Sequence, residues 1–457
     1  MHHLAYVFER FPSFTQTFCV REVEQLMRMG VKPLIFSIRD TRSEEIQHFP
    51  QELFDLVHFL PAKEQLTRLV RQWKDEHKLP RAAALTLREW GDRPDKARVY
   101  EAAYIAKVLA DMPKVERPLH VHSHFAGVGA RTCWWMRKFC GVSFSFTAHA
   151  NDIFCKPEDE TVPFHRLFED AALIVTVSDF TARQLRERFP SAATRVRRVY
   201  NGMDLEPFKR ARATANRSHA AGGITSVGRL IEKKGYPDLI AACGLLRDRG
   251  VTFRCRIVGE GPLDASLKAQ IGELGLDQLV QLTGPLGIND IRKLLAEETQ
   301  VFALACATEQ DGGMDNLPTV LMEAMAASLP CVSTRLAGVP EMVLDAETGY
   351  LVAERDSEAL AGKLQMLLAD DALCGRMGAA GLRHAETHFT RDATGRALLT
   401  AFAELGGICA DAALKEAQPW LGAALRRRFW KRWSRQLRHQ APGVSGKNFD
   451  LAAFIRR

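Results

Sequence analysis

The sequence predicts an α/β protein built from two parallel-sheet units in tandem, and three observations predict it. Short apolar segments alternate with helix-like stretches as far as Tyr200; a polar, basic, small-residue stretch, FKRARATANRSHAAGG, then breaks the pattern; and the same alternation restarts at ITSVG near residue 224. Short strands separated by helices form a parallel sheet covered on both faces. A chain of 457 residues also exceeds one ordinary core. Two Rossmann-like domains with parallel sheets facing across a cleft is the simplest arrangement.

In chain order, the first unit has strands at LAYVF near 4, PLIFSI near 33, HVHSHF near 120, SFSFTAH near 143 and LIVTVS near 173. Ser13 and Gln16 have capping-box spacing and predict the start of the first helix. The second unit has ITSVG near 224, RCRIVG near 254, VQLTG near 280, VFALA near 301, PCVST near 330 and GYLV near 349. The expected divisions are 1–207 for the first domain, 208–222 for a linker and 223–385 for the second domain. Helices over 386–417 are expected to return toward the first domain, and 418–457 is a basic amphipathic tail.

Composition narrows the function. The start, MHHLAYVFERFPSF, lacks a basic flank, apolar run and small-residue cleavage site, and no uncharged stretch reaches the roughly 18 residues of a spanning helix. A cytoplasmic protein, peripheral on the inner face of the membrane, is expected. Ten scattered cysteines without a CxxC pair read as reduced core residues. The net charge is +7, and the seven cations between Pro419 and Gln440, with no acid among them, equal all of it. A nucleic-acid protein would spread its charge over a binding face, so no nucleic-acid partner is expected.

Open α/β sheets bind ligands beyond the carboxyl ends of their strands. There the second unit carries Gly228-Arg229-Leu230-Ile231-Glu232-Lys233-Lys234-Gly235. The glycine admits close backbone approach and the two cations suit a diphosphate, although a solvated basic turn would read the same. Asp315-Asn316-Leu317-Pro318 precedes a helix-favouring run, so the amides of Asn316 and Leu317 should point from the helix N-terminus toward an anion. Glu323 lies inside that helix; its carboxylate suits neutral ribose hydroxyls, or is a surface acid favoured by the helix dipole. Val258-Gly259-Glu260-Gly261-Pro262 is a further strand-to-helix turn, weak alone. In the first unit, Ala148-His149-Ala150-Asn151-Asp152 follows a strand, and His120, His122 and His124 alternate on another. The three could hold a metal from one face, yet no neighbouring Cys, Asp or Glu completes a set, and buried core histidines alternate in the same way. Absent are GxxxxGK[ST], GxGxxG after the first strand, HExxH, GxSxG and a DxD triplet. No metal and no other cofactor is expected.

These residues resemble the retaining glycosyltransferases of family 4, which have the GT-B fold. The resemblance rests on G-R-L-x-E-K-K-G, V-G-E-G-P, D-x7-E followed by A-M-A, A-G-V-P-E-M-V and G-Y-L-V, in that order over 224–352. F-P-S-F-T-Q-T-F, H-S-H-F, S-F-T-A-H-A-N-D-I and V-S-D-F-T with Y-N-G-M-D resemble the branch that builds exopolysaccharides of the colanic-acid type. The likeness spans residues 4 to 385.

The resemblance implies a sugar transferred with retention from a nucleotide-diphosphate sugar to an oligosaccharide or lipid-linked acceptor. Arg229 and Lys234 would grip the diphosphate beside Gly228 and Gly259, Glu323 the ribose, and Asp315 hydroxyls of the transferred sugar. Asn316 and Leu317 would hold phosphate through their amides, and His149 would line the sugar end. Arg229, Lys234, Asp315 and His149 would be the catalytic set; Ser13, Phe14, Thr15, His124 and His149 would face the acceptor. Two departures stand out: Asp315 where the family usually has Glu, and Ala305-Cys306 where Pro-Ser is common. Front-face displacement is the implied mechanism, with the departing phosphate oxygen taking the acceptor proton. A non-catalytic nucleotide-sugar-binding or scaffold protein is the alternative, as is a phosphorylase or epimerase.

In the tail, Trp420, Leu421, Ala424, Leu425, Phe429, Trp433 and Leu437 recur as one helical face against a basic one. Residues 419–439 are therefore expected at an anionic membrane surface, or packed back on the first domain.

Overall fold

A computed structural model describes residues 4–13, 16–43, 49–91, 93, 95–149, 152–153, 164–216 and 222–405. The first sheet comprises β1 (Leu4–Arg10), β2 (Leu34–Arg39), β3 (Val57–Phe59), β4 (His120–His124), β5 (Ser143–Ala148), β6 (Leu173–Thr176) and β7 (Val196–Arg198). Its spatial order is β3-β2-β1-β4-β5-β6-β7, and every pairing is parallel. The second sheet comprises β8 (Gly223–Val227), β9 (Arg254–Val258), β10 (Val280–Gly284), β11 (Val301–Leu304), β12 (Cys331–Thr334) and β13 (Gly349–Val352). Its order is β10-β9-β8-β11-β12-β13, again parallel throughout. In each sheet the winding reverses beside the first strand, which opens a crevice between β1 and β4 and another between β8 and β11. The short edge strands β3 and β7 go beyond the sequence expectation.

Burial follows the apolar periodicity. Helix α1 (Thr17–Arg28) buries Cys19, Val20, Val23 and Leu26, a one-face spacing. The expected capping box is not formed: Gln16 sits at the N-cap without a side-chain capping bond, and its N–H donates to the Ser13 carbonyl at 3.1 Å. Helix α2 (Asp179–Arg188) is capped by the Ser178 hydroxyl, which accepts from the Thr181 N–H. Helix α3 (Thr319–Ala326) follows Pro318, which holds the N-cap rather than the first turn.

The basic stretch expected as a linker begins instead as a helix, Glu206–Thr214. Its Phe208 is buried in a core of the second unit with Leu294, Leu295 and Leu321, while Arg212 donates to the Ala296 carbonyl at 3.0 Å and Lys209 pairs with Glu206 and Glu386. Helix α4 (Arg391–Ala403), capped by Thr390, places Leu398, Leu399, Ala401 and Phe402 in one core with Leu4, Tyr6 and Phe8 of β1 and Val23 and Leu26 of α1. The last described helix thus completes the first unit. Of the eight cysteines described, seven are buried as expected and Cys140 is exposed, at the solvent end of its helix.

Candidate active site

On the second unit three strand ends are stitched together. The Gly228 N–H donates to the Val258 carbonyl at 2.9 Å, and the Gly259 N–H to the Gly284 carbonyl at 3.0 Å. A Cβ on Gly259 would lie 2.0 Å from the Gly228 carbonyl oxygen, so only glycine lets these turns meet. Arg229 projects from this turn, exposed and without an ion pair among the described residues. Lys234 ends a single 3-10 turn, Glu232–Lys234, and bends back to pair with the Asp315 carboxylate. Lys233 lies 3.7 Å from the other Asp315 oxygen. Two residues expected to contact a donor separately are therefore partners in this structure. An anion arriving at this rim would compete with the Asp315 carboxylate for the same ammonium group.

Among the described residues, neither the Asn316 nor the Leu317 amide has a hydrogen-bond acceptor, in keeping with their place ahead of α3. The Asn316 side chain is engaged elsewhere. Its Oδ1 accepts from the Ser178 hydroxyl at 2.7 Å and its Nδ2 lies 3.3 Å from the Thr181 hydroxyl, joining α3 to the cap of α2. Glu341 makes a second bridge, accepting the N–H groups of Asp179 at 2.7 Å and Phe180 at 2.8 Å and the Tyr200 hydroxyl at 3.0 Å. Glu323 faces Arg21 of α1 across the interdomain gap. Burial pushes its carboxyl up to about 7, against the pull of Arg21 and Arg292.

On the first unit, β4 and β5 run in register, so His120, His122 and His124 stand opposite Ser143, Ser145 and Thr147. His120 reaches the Ser143 and Ser145 hydroxyls at 2.8 and 2.6 Å, and His122 those of Ser145 and Thr147 at 2.6 and 3.0 Å. Burial drives the His120 ring down to about 3 and that of His122 well below its usual range. At His124 the sequence expectation fails, because folding does bring an acid to it. Glu22, 102 residues earlier, lies 3.1 Å from Nε2, and His149 Nε2 lies 3.1 Å from Nδ1. Ligand atoms of Glu22, His122 and His124 come within 4.8 Å of one another. Both nitrogens of each histidine are already engaged by hydroxyls, Glu22 or His149, so the group is satisfied as a hydrogen-bond network.

His149 packs against Phe18 and Phe125, with ring centroids 4.8 and 4.4 Å away. Phe125 has φ +65°, a strained conformation for a bulky residue, held by its N–H to the Thr147 carbonyl. Ser13, expected on the acceptor side, is buried, and Phe11 beside it is stacked on Phe8 in the first core. Phe14 and Thr15 lie outside the described residues, as does the tail.

Two families match this chain: Glycosyltransferase Family 4 over residues 15–207 and Glycosyl transferases group 1 over residues 211–384. WcaL of Salmonella typhimurium, assigned as a colanic acid biosynthesis glycosyltransferase, is 30% identical over 370 residues, covering 78% of this chain and 88% of its own. The chain belongs to the family 4 glycosyltransferases. The amylovoran biosynthesis glycosyltransferase AmsK of Erwinia amylovora is 34% identical over 59% of this glycosyltransferase and 66% of its own length. A solved glycosyltransferase from Rickettsia africae shares the two-domain fold with a TM-score of 0.64 at 16% identity, over 88% of this chain and 98% of that one. The order of the two sheets, the family matches and the solved glycosyltransferase establish the GT-B architecture.

Sequence reasoning missed Arg21, Glu22 and Glu341 as members of the site region. Glu341 sat inside the quoted A-G-V-P-E-M-V segment, and its place at a helix start was the available signal. Arg21 and Glu22 carried none, since a charged pair inside an amphipathic helix reads as a solvated face. Among the described residues, no helix is long and apolar enough to cross a membrane.

Proposed function

We propose that this glycosyltransferase moves a hexosyl group, with retention, from a nucleotide-diphosphate sugar to an oligosaccharide or lipid-linked acceptor of an envelope polysaccharide. The observation that carries the reading is the convergence of Arg229, the Lys234–Asp315 pair and the unengaged Asn316 and Leu317 amides at one rim of the second sheet. A diphosphate bound there displaces Asp315 from Lys234, and the freed carboxylate accepts hydroxyls of the sugar. Cations and oriented amides then take up the charge that develops on the leaving phosphate, so that no divalent ion is called for. Glu323 accepts the ribose hydroxyls, and His149 lines the sugar end from the first unit. No side chain is placed as a nucleophile; the leaving phosphate takes the acceptor proton as the new bond forms on the same face. The relatives assigned to colanic acid and amylovoran synthesis support an exopolysaccharide acceptor.

The test is incubation with UDP-glucose, UDP-galactose and GDP-mannose in chelator, following release of the nucleoside diphosphate and the anomeric configuration of the product by NMR. One donor should be turned over with its anomeric configuration kept. Lys234→Ala and Arg229→Ala should each weaken donor binding by roughly ten- to a hundredfold, the scale of a lost bond to a charged group. Turnover that needs added magnesium, or an inverted product, would overturn the reading.

A further inference from the structure

Tyr6, Glu22, His124 and His149 form one continuous hydrogen-bonded line that no other feature of the fold requires. It starts in the core of the first unit and ends at the ring taken above to face the sugar. The Tyr6 hydroxyl donates to Glu22 Oε1 at 2.6 Å. The same oxygen lies 3.1 Å from His124 Nε2, and His124 Nδ1 lies 3.1 Å from His149 Nε2. Four elements meet here: β1, α1, β4 and the turn after β5. Glu22 and Phe18 also line a cavity with Arg21, Asn201 and Arg391, between α1 and the start of α4.

The protons along this line are constrained. A carboxylate oxygen can only accept, so His124 Nε2 carries a proton toward Glu22. One choice remains, on which side of the 3.1 Å contact between the two imidazoles the next proton lies. If His124 is neutral, its Nδ1 accepts from His149 Nε2–H and His149 turns a bare Nδ1 toward the cleft. If His124 is an imidazolium, it donates to His149 Nε2 and His149 carries its proton on Nδ1. We propose that Glu22 is a positioning residue that holds His124 as an imidazolium, and that His124 thereby fixes His149 as the tautomer offering an Nδ1–H donor to the transferred sugar.

The groups facing the His124 ring are Tyr6 from β1, Cys19 and Glu22 from α1, His122 from β4 and His149 after β5. Burial works against charge on His124, and Cys19 and Glu22 beside the ring raise it well above its usual value; burial also raises the Cys19 thiol, which is therefore neutral at pH 7 and leaves the Glu22 carboxylate as the charge on His124. His149 is pushed the other way, by burial and by His124 itself. His122 stays neutral between two hydroxyls and takes no proton from the line. His149 Nδ1 has no partner among the described residues, which leaves it for a ligand. Phe18 and Phe125 both pack on the His149 ring, with centroids 4.8 and 4.4 Å away, and touch each other at 6.1 Å.

The inference rests on the placement of His149 at the sugar end, and the experiment separates the two. The full chain is labelled with 15N-histidine, and the His149 and His124 signals are assigned among the 14 histidines by difference against His149→Asn and His124→Asn. Expected at pH 7 are an imidazolium pattern for His124 and a neutral Nδ1–H pattern for His149. In Glu22→Gln, His124 should become neutral and His149 should switch to Nε2–H; Glu22→Asp should restore the first pattern. Because the imidazolium exists below its raised pKa, the alkaline limb of kcat for donor turnover should move to lower pH in Glu22→Gln. At pH 8, kcat should fall roughly ten- to a hundredfold while the donor KM changes little. A wild-type His149 already protonated on Nε2, or a Glu22→Gln protein with unaltered tautomers and pH profile, overturns the relay. If His149→Ala leaves turnover intact, the placement of His149 fails and the proposal falls with it. If His149→Ala impairs turnover while Glu22→Gln does not, only the relay is lost.

Discussion

Glu323 carries a carboxyl raised to about 7 by burial, facing the Arg21 guanidinium of the other unit. A raised folded-state pKa means that the folded protein holds this proton more tightly than the unfolded chain. The resulting stability is present below the ordinary glutamate value and is lost as pH rises through about 7. Glu323→Gln should therefore melt higher than the parent at pH 8 and no higher at pH 4, by calorimetry across that range. Donor affinity should move oppositely: the ionised carboxylate is the better acceptor for ribose hydroxyls, so titration calorimetry should show tighter binding of UDP or GDP at pH 8 than at pH 6, with a proton released near pH 7. Affinity independent of pH, or unchanged in Glu323→Gln, would remove Glu323 from the donor site. The place of this residue, in a helix behind free amides, was legible in the sequence. Its desolvation was not, because Arg21 lies some 300 residues earlier in the chain. The Lys234–Asp315 pair shows the same limit: each residue type was readable, but that they would pair with each other before any ligand arrived depends on the fold bringing residues 81 apart into contact.

Helix α2 begins with its first two amides directed at Glu341, so a carboxylate from the second unit serves as an anionic cap for a helix of the first. Backbone donors at a helix start favour negative charge, and the Tyr200 hydroxyl adds a third bond. Glu341→Gln keeps one acceptor oxygen and turns an amide donor toward groups that themselves donate. It should lower stability by about 1.5–3 kcal/mol, read as an earlier urea midpoint; an unmoved midpoint would mean that water replaces the bridge. At this scale the sequence spoke most clearly where periodicity was strong. All eleven strands expected from apolar runs are present, whereas β3 and β7, three residues each, offered too little pattern to read. Polar segments misled. Ser13 and Gln16 have the right letters for a capping box, but the chain enters α1 three residues later than that reading requires. The basic stretch near 208 hides a single buried Phe208, and composition alone does not reveal which lone apolar residue finds a socket.

Among the described residues, the chain crosses between its units twice, once after β7 and once before α4, and the last described helix lies on the first. Residues 419–439 therefore follow a helix anchored to the unit that carries His124 and His149. An anionic bilayer gripped by that segment would be met from the acceptor side, with each cation near the surface contributing about 1 kcal/mol. The full chain should float with vesicles containing anionic lipid and not with neutral ones, and a chain ending at Ala417 should float with neither; equal flotation of the two chains would exclude the tail as the contact. The same return of α4 also sets a timetable for synthesis. β7 is translated by residue 198, but the apolar face of β1 and α1 waits for Leu398, Leu399 and Phe402. At cellular elongation rates of about 5–20 residues per second, that gap is roughly 10–40 s. Throughout that interval the nascent first unit displays an unfinished greasy surface, a natural foothold for a chaperone, and a gene truncated before codon 391 would leave that surface bare for good.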